Sequence, residues 1–259
     1  MPRTRAKIAS VLLAGAVVSL SASSCVENDG SIIIIGILSP PITAAAGGAS
    51  TCLYTPNIIG PFLSFGTVDV AFTTQYVPVL LLGNQLVTQA NASLDRLETD
   101  DVIIQGATVR VTDASGATLD NYTVPGDGFL PASAGGTPGI SAFATTIVSP
   151  NAISQFAPGG SSALAYGVTK RLVSYVKIFG ITTGGTHIES GETGIPVDVC
   201  DGCLVTFPNG SDDPANPVIN CGATGQSGSA ISPPCVTGQD QYVDCRLCQG
   251  NDACDPAQR

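Results

Sequence analysis

Residues 107–124 read ATVRVTDASGATLDNYTV. Ala107, Val109 and Val111 alternate with Thr108, Arg110 and Thr112, the period of two that sends successive side chains to opposite faces of a strand. Asp113-Ala114-Ser115-Gly116 then supplies turn chemistry: Asp and Ser bond the local backbone, and Gly takes the left-handed conformation. Residues 117–124 return as the hairpin partner.

The same signals recur outward in both directions. Strands are predicted over 31–38, 67–74, 77–82, 102–105, 140–148, 168–179, 186–190, 195–200 and 204–207, with a short helix over 151–156. Gly126-Asp127-Gly128 reads as another turn. Ile32, Ile33, Ile34 and Ile35 cannot safely lie on an exposed edge, so the first strand is predicted to be buried in the main sheet. Val, Ile and Thr are abundant, there is one Met, and charged residues make up only 12%. Short strands with frequent turns predict an all-β fold, an immunoglobulin-like β-sandwich over 32–199. The Trp of antibody domains is missing, because the chain has none.

The amino terminus has a different character. Arg3, Arg5 and Lys7 precede thirteen uncharged residues, 8–20, and then Ser21-Ala22-Ser23-Ser24-Cys25. Thirteen residues suit the apolar core of a signal peptide and are too few to span a bilayer of ~30 Å. Small residues followed at once by cysteine resemble the lipobox of bacterial lipoproteins, in which the signal peptide is cut before the cysteine and the cysteine is lipidated. The expected division is a signal peptide, 1–24, a lipidated tether, 25–31, and the sandwich. Ala22 stands where that motif favours Leu, and Ala22-x-Ser24 would also suit ordinary secretion. Two or three acyl chains, at ~0.8 kcal/mol per buried CH₂, anchor a protein where one chain would not. The six residues after Cys25 reach at most ~20 Å, so the domain is expected close to its membrane. Val26 follows the cysteine, and by resemblance to the sorting rule of enteric bacteria this implies the outer membrane.

Charge narrows the partners. Removing residues 1–24 takes away three cations and no acid, leaving seven cations against 20 acids, a net −13. Such a surface repels phosphate backbones and excludes nucleic acid as a partner. The expected partners are the membrane, through the lipid, and an envelope protein.

Seven of the nine cysteines fall within 200–259, a stretch rich in Gly, Pro, Asn and Asp and poor in apolar periodicity. It is expected to be a loop-dominated module held by disulfides. With Cys25 lipidated, eight cysteines remain: Cys52, Cys200, Cys203, Cys221, Cys235, Cys245, Cys248 and Cys254. An even number can pair completely, and Cys52 is predicted to join the carboxy-terminal set. Two other readings compete. Cys200-Asp201-Gly202-Cys203 and Cys245-Arg246-Leu247-Cys248 could supply four zinc ligands, although the gap between the pairs is longer than usual. A redox CxxC would want its first cysteine at a helix start, whereas Val197-Asp198-Val199 before Cys200 reads as strand.

No residue pattern marks an enzyme. His187 is the only histidine and lies in a Gly-rich turn region, where it is expected to face solvent. There is no G-x-S-x-G elbow, and the absence of Trp argues against a sugar-processing cleft. No cofactor or metal is expected. Asp212-Asp213 and the Gly126-Asp127-Gly128 turn are the places where calcium or a small ligand would bind, as the alternative to a structural role. Asn91, Asn121 and Asn209 begin glycosylation-type triplets, which are common by chance.

Several stretches resemble a group of poorly characterised exported lipoproteins from myxobacteria and related bacteria. They are 25–31 (CVENDGS), 82–86 (LGNQL), 106–110 (GATVR), 199–205 (VCDGCLV), and 238–240 (GQD) leading to 243–248 (VDCRLC). The resemblance implies an envelope lipoprotein and carries over no activity. The function expected from the sequence is a non-enzymatic structural or interaction module at a membrane surface.

Overall fold

The structure is a computed structural model that describes residues 30–41, 52–91, 97–207, 233–248 and 250–254. Two sheets carry the fold. The first contains β1 (Ile32–Leu38), β2 (Phe62–Leu63), β4 (Val79–Asn84) and β7 (Gly139–Ala144), in the order β2-β1-β4-β7. The second contains β3 (Gly66–Asp69), β5 (Val102–Asp113), β6 (Thr118–Leu130), β8 (Thr169–Thr182) and β10 (Thr193–Cys200), in the order β3-β10-β8-β5-β6, with β9 (His187–Glu189) paired to β8. All neighbours are antiparallel except β3, which runs parallel to β10. A sheet of β10-β8-β5-β6 facing one of β1-β4-β7 has the strand order of an immunoglobulin-like sandwich.

The inner faces meet in one core. Val102, Ile104, Ala107, Val109 and Val111 of β5, with Leu172, Val176 and Ile178 of β8, face Ile32, Leu80, Leu82 and Phe143 of the other sheet. The 107–124 hairpin lies in the larger sheet, with Val109 opposite Tyr122. Between β7 and β8, helix α1 (Pro150–Ser154) buries Ala152 and Ile153, and Ser149 caps it by accepting from the Ala152 amide.

Three local expectations change. The stretches 102–105 and 107–112 form a single strand, because a register shift between Ile104 and Gly106 restores the inward phase and buries both Ile104 and Ala107. Gly126-Asp127-Gly128 is not a turn but part of β6. Its glycines make room for the opposite sheet: a Cβ on Gly126 would lie 2.5 Å from the Phe143 ring, and one on Gly128 would lie 3.3 Å from it. The isoleucine strand belongs to the smaller sheet. On the edge away from β4, Ile37 and Leu38 pair with β2 and Ile32 bridges to Ser190, and Ile33, Ile34 and Ile35 are half-buried. Gly83 explains the outer pair, since Ile33 and Ile35 fold over the space where its side chain would be.

Candidate functional site

The residues with unusual environments lie where the carboxy-terminal segment meets the sandwich. Asp69 ends β3 and is fully buried. Its Oδ1 accepts from the amides of Ala71 (3.1 Å) and Gly202 (2.8 Å), and its Oδ2 accepts from Leu204 (3.0 Å). A carboxylate placed inside an apolar run needs such donors, and those from Gly202 and Leu204 hold the turn after β10 against the end of β3. In that turn a disulfide joins Cys200 to Cys203, and Gly202 adopts a φ of +71°.

Asp201, between those cysteines, borders a cleft of about 640 Å³. The other walls are Val70, Ala71, Leu164 and Tyr166 from the sandwich side, and residues 250–253 from the loop closed by the Cys248–Cys254 disulfide. Tyr166 Oη donates to the Ala253 carbonyl (3.1 Å), and Asn251 Nδ2 donates to the Ala71 carbonyl (3.0 Å), so the two walls are tied together. Burial, and then the negative charge of Asp69, raise the pKa of the Asp201 carboxyl. Asp252 contributes a second carboxylate to the lining. Hard oxygen donors of this kind suit a cation or an amine. The sulfurs of Cys200 and Cys203 and an Asp69 oxygen lie within 4.8 Å of one another. With the sulfurs joined in a disulfide, the thiolates that zinc requires are not on offer.

A second set of contacts ties residues 235–240 to the sandwich. Asp240 Oδ1 accepts from the Thr67 amide (2.8 Å), and its Oδ2 accepts from Tyr76 Oη (2.8 Å). Asp240 holds this position with a φ of +56°, unusual for a residue other than glycine. Burial raises its pKa to about 6, against the opposing effect of those two donors. Tyr76 is itself fully buried, and its own pKa is pushed up by burial and by the Asp240 charge, which keeps it a donor. Gly66 leaves the space that the Tyr76 ring occupies. Gln239 Oε1 accepts from the Val77 amide (2.9 Å), and its Nε2 donates to the Gln75 carbonyl (3.0 Å). Cys52 is joined to Cys235, 183 residues away.

The sequence-predicted residues are placed as follows. Cys52, Cys200, Cys203, Cys235, Cys248 and Cys254 form the three disulfides above, and Cys245 is also disulfide-bonded. Cys245 and Cys254 join Val205, Phe207 and Ala253 in a small second core against Phe72 and Tyr166, beside the short parallel pair β11 (Val205–Thr206) and β12 (Val243–Asp244). Cys25, Cys221, Asn209, Asp212 and Asp213 lie outside the described residues. His187 is exposed on β9, opposite Ile181. Asp127 and Asn121 are exposed on β6, so the loop expected around Asp127 does not form. The sequence assigns no role to Asp69, Tyr76, Gln239 or Asp240, although Gln239 and Asp240 fall in the 238–240 stretch of resemblance. Only Asp69 carries a visible signal there, as a lone acid within Val68-Asp69-Val70-Ala71.

No protein-family model matches the chain, and no curated protein matches it. Among solved structures it is similar to the structural-genomics target SoR45, with a TM-score of 0.26 and 10% identity over 48% of this chain and 72% of that one. It is also similar to a putative late embryogenesis abundant protein, with a TM-score of 0.31 and 12% identity over 52% of this chain and 71% of that one. Both likenesses are too distant to support a functional argument.

Proposed function

We propose that this protein is an exported bacterial lipoprotein, held at the outer membrane by lipid on Cys25, whose sandwich is a non-enzymatic structural or interaction module. The observation that carries the reading is the order of the first 25 residues: cations, thirteen uncharged residues, small residues, cysteine. The disulfides support it, because such bonds persist in oxidising compartments outside the cytoplasm. The distribution of reactive groups supports a non-catalytic role. His187 pairs near the Thr182 end of β8, while Cys200 pairs with Thr169 at its other end. That separates the only imidazole from the Asp201 cleft by roughly 40 Å at 3.3 Å per strand residue.

The test is to express the wild type and Cys25→Ala, fractionate the cells and weigh the amino-terminal peptide. The wild type should sediment with membranes and carry acyl mass on Cys25, and the variant should do neither. A Cys25→Ala protein that stays in the membrane pellet refutes lipid anchoring. The cleft beside Asp201 and Asp252 favours a second reading, binding of calcium or a small cationic ligand. A rise in the thermal midpoint with added calcium, lost in Asp201→Asn, would select it.

A further inference from the structure

The described chain begins at one end of the sandwich, and exposed apolar side chains gather at that same end. Ser31 accepts at its carbonyl from the Gln85 amide (2.9 Å), two residues before Val87, which is 61% exposed. Ile32 pairs with Asn84, whose Nδ2 donates to the Asp100 carbonyl (2.9 Å), close to the start of β5. Leu97, 84% exposed, leads into this segment, and Ile103 and Phe129 stand opposite each other where β5 begins and β6 ends. Val87, Leu97, Ile103 and Phe129 therefore come from separate parts of the chain and lie toward the end of the sandwich at which β1 begins.

The polar groups of this end hold that arrangement together. The Glu98 carboxylate accepts from Thr88 Oγ1 and from the amides of Gln89, Ala90, Thr99 and Asp100, binding the Val87 segment to the Leu97 segment. Asp101 Oδ1 accepts from the Ala132 amide, and its carbonyl accepts from Thr183. The neighbouring loop, Thr183-Gly184-Gly185-Thr186, is uncharged. Single exposed apolar residues need no explanation, but a group of them beside a membrane tether does.

We infer that this end of the sandwich rests on the bilayer, with Val87, Leu97, Ile103 and Phe129 entering the headgroup region of a zwitterionic lipid surface. The inference builds on the lipoprotein reading above. The tether length favours it: six residues after Cys25 reach at most ~20 Å, too little to let the domain turn freely away from its membrane. Glu98, Asp100 and Asp101 set the lipid class, since acids at the contact favour neutral headgroups over anionic ones. The opposite end also exposes apolar side chains, among them Ile59, 88% exposed, and Phe62. It lies beyond the far end of β1, whose seven residues span ~23 Å, and it faces away.

The chain has no Trp, so one introduced at either end reports on that end alone. Full-length Leu97→Trp and Ile59→Trp, purified from membranes with their lipid, are reconstituted into phosphatidylcholine vesicles with brominated acyl chains. Leu97→Trp emission should shift to the blue and fall by roughly half or more, because a side chain in contact enters ~5–10 Å into the headgroup–acyl boundary. Ile59→Trp emission should stay unchanged. Quenching at Ile59→Trp instead, or at neither, overturns the inference, and the second result leaves the apolar end to a protein partner. The mass of the amino-terminal peptide is measured on the same samples. A protein without lipid refutes the anchoring reading itself, and this inference with it, whereas a lipidated protein with the wrong quenching pattern refutes the orientation alone.

Discussion

Replacing Tyr76 by Phe removes one hydroxyl from a fully buried ring and leaves the ring's packing in place. That hydroxyl donates to Asp240, which then keeps only the Thr67 amide, since the remaining influence on it is burial. In the native protein the Asp240 pKa has risen from 3.8 to about 6, and ~3 kcal/mol is thus set against its ionised form. A group whose folded pKa is raised contributes stability below its unfolded value and loses that contribution as pH rises through the folded value. For Asp240 the contribution is complete below pH 3.8 and gone above about 6. Without the Tyr76 hydroxyl the folded pKa climbs further, and ionisation at pH 8 costs more. The loss in Tyr76→Phe at pH 8 should be about 1.5–3 kcal/mol, the range for a hydrogen bond to a charged group. Near pH 4.5 Asp240 is protonated in both proteins, and the loss should fall to about 1 kcal/mol, that of a neutral hydrogen bond. Urea unfolding of both proteins at the two pH values, with disulfides intact, measures the difference and cancels every other titrating group. An equal loss at both pH values, or a larger one at pH 4.5, would refute this account of the Asp240 carboxylate.

Two substitutions probe the rest of the frame. Gly126→Val places a branched side chain where the Phe143 ring already lies; the expected cost is ~1–3 kcal/mol or more, read as a fall in the thermal midpoint, and Gly126→Val with Phe143→Ala should cost less than the sum of the two. Asp69→Asn turns an amide group toward backbone N–H donors that all need an acceptor; it should lose ~1–3 kcal/mol, and the Cys200–Cys203 disulfide should be reduced faster by an added dithiol, followed by thiol labelling.

The sandwich was legible because its strands obey the period of two, as at Ala107, Val109 and Val111. The features that were misread break that period for a reason outside the local sequence. At Gly126 and Gly128 the chain has turn composition, yet it continues as strand because the glycines accommodate Phe143 from the other sheet. The bulge before Gly106 hid one long strand as two short ones. The isoleucine run announced a strand but not its neighbours, which depend on β4 and on the space above Gly83. Cysteine number and the lipobox-like start were plain in the sequence. The Asp201 cleft was not, because its walls are far apart in the chain, 87 residues between Tyr166 and Ala253 and 180 between Ala71 and Asn251, and come together only on folding.

The position of β3 explains why the carboxy-terminal segment matters to the sandwich. Among the described strands β3 pairs with β10 alone, and on its other side Val68 makes a single bridge to Gln239. Its other polar needs fall to the tail: the Asp69 amide donates to Gly238, Thr67 pairs with Asp240 through both its amide and its carbonyl, and Tyr76 beside it finds its acceptor in Asp240. An edge strand with unpaired amides invites pairing with another chain. Here residues 238–240 cover it from within the same molecule, and the Cys52–Cys235 disulfide keeps the cover close. Coverage of this edge is therefore a structural reason for a stapled tail on an otherwise complete sandwich. It also explains the buried carboxylates of this seam, costly anywhere else in the core: Asp240 supplies the acceptor that a strand partner would have given the Thr67 amide, and Asp69 accepts from amides in the turns that follow β3 and β10.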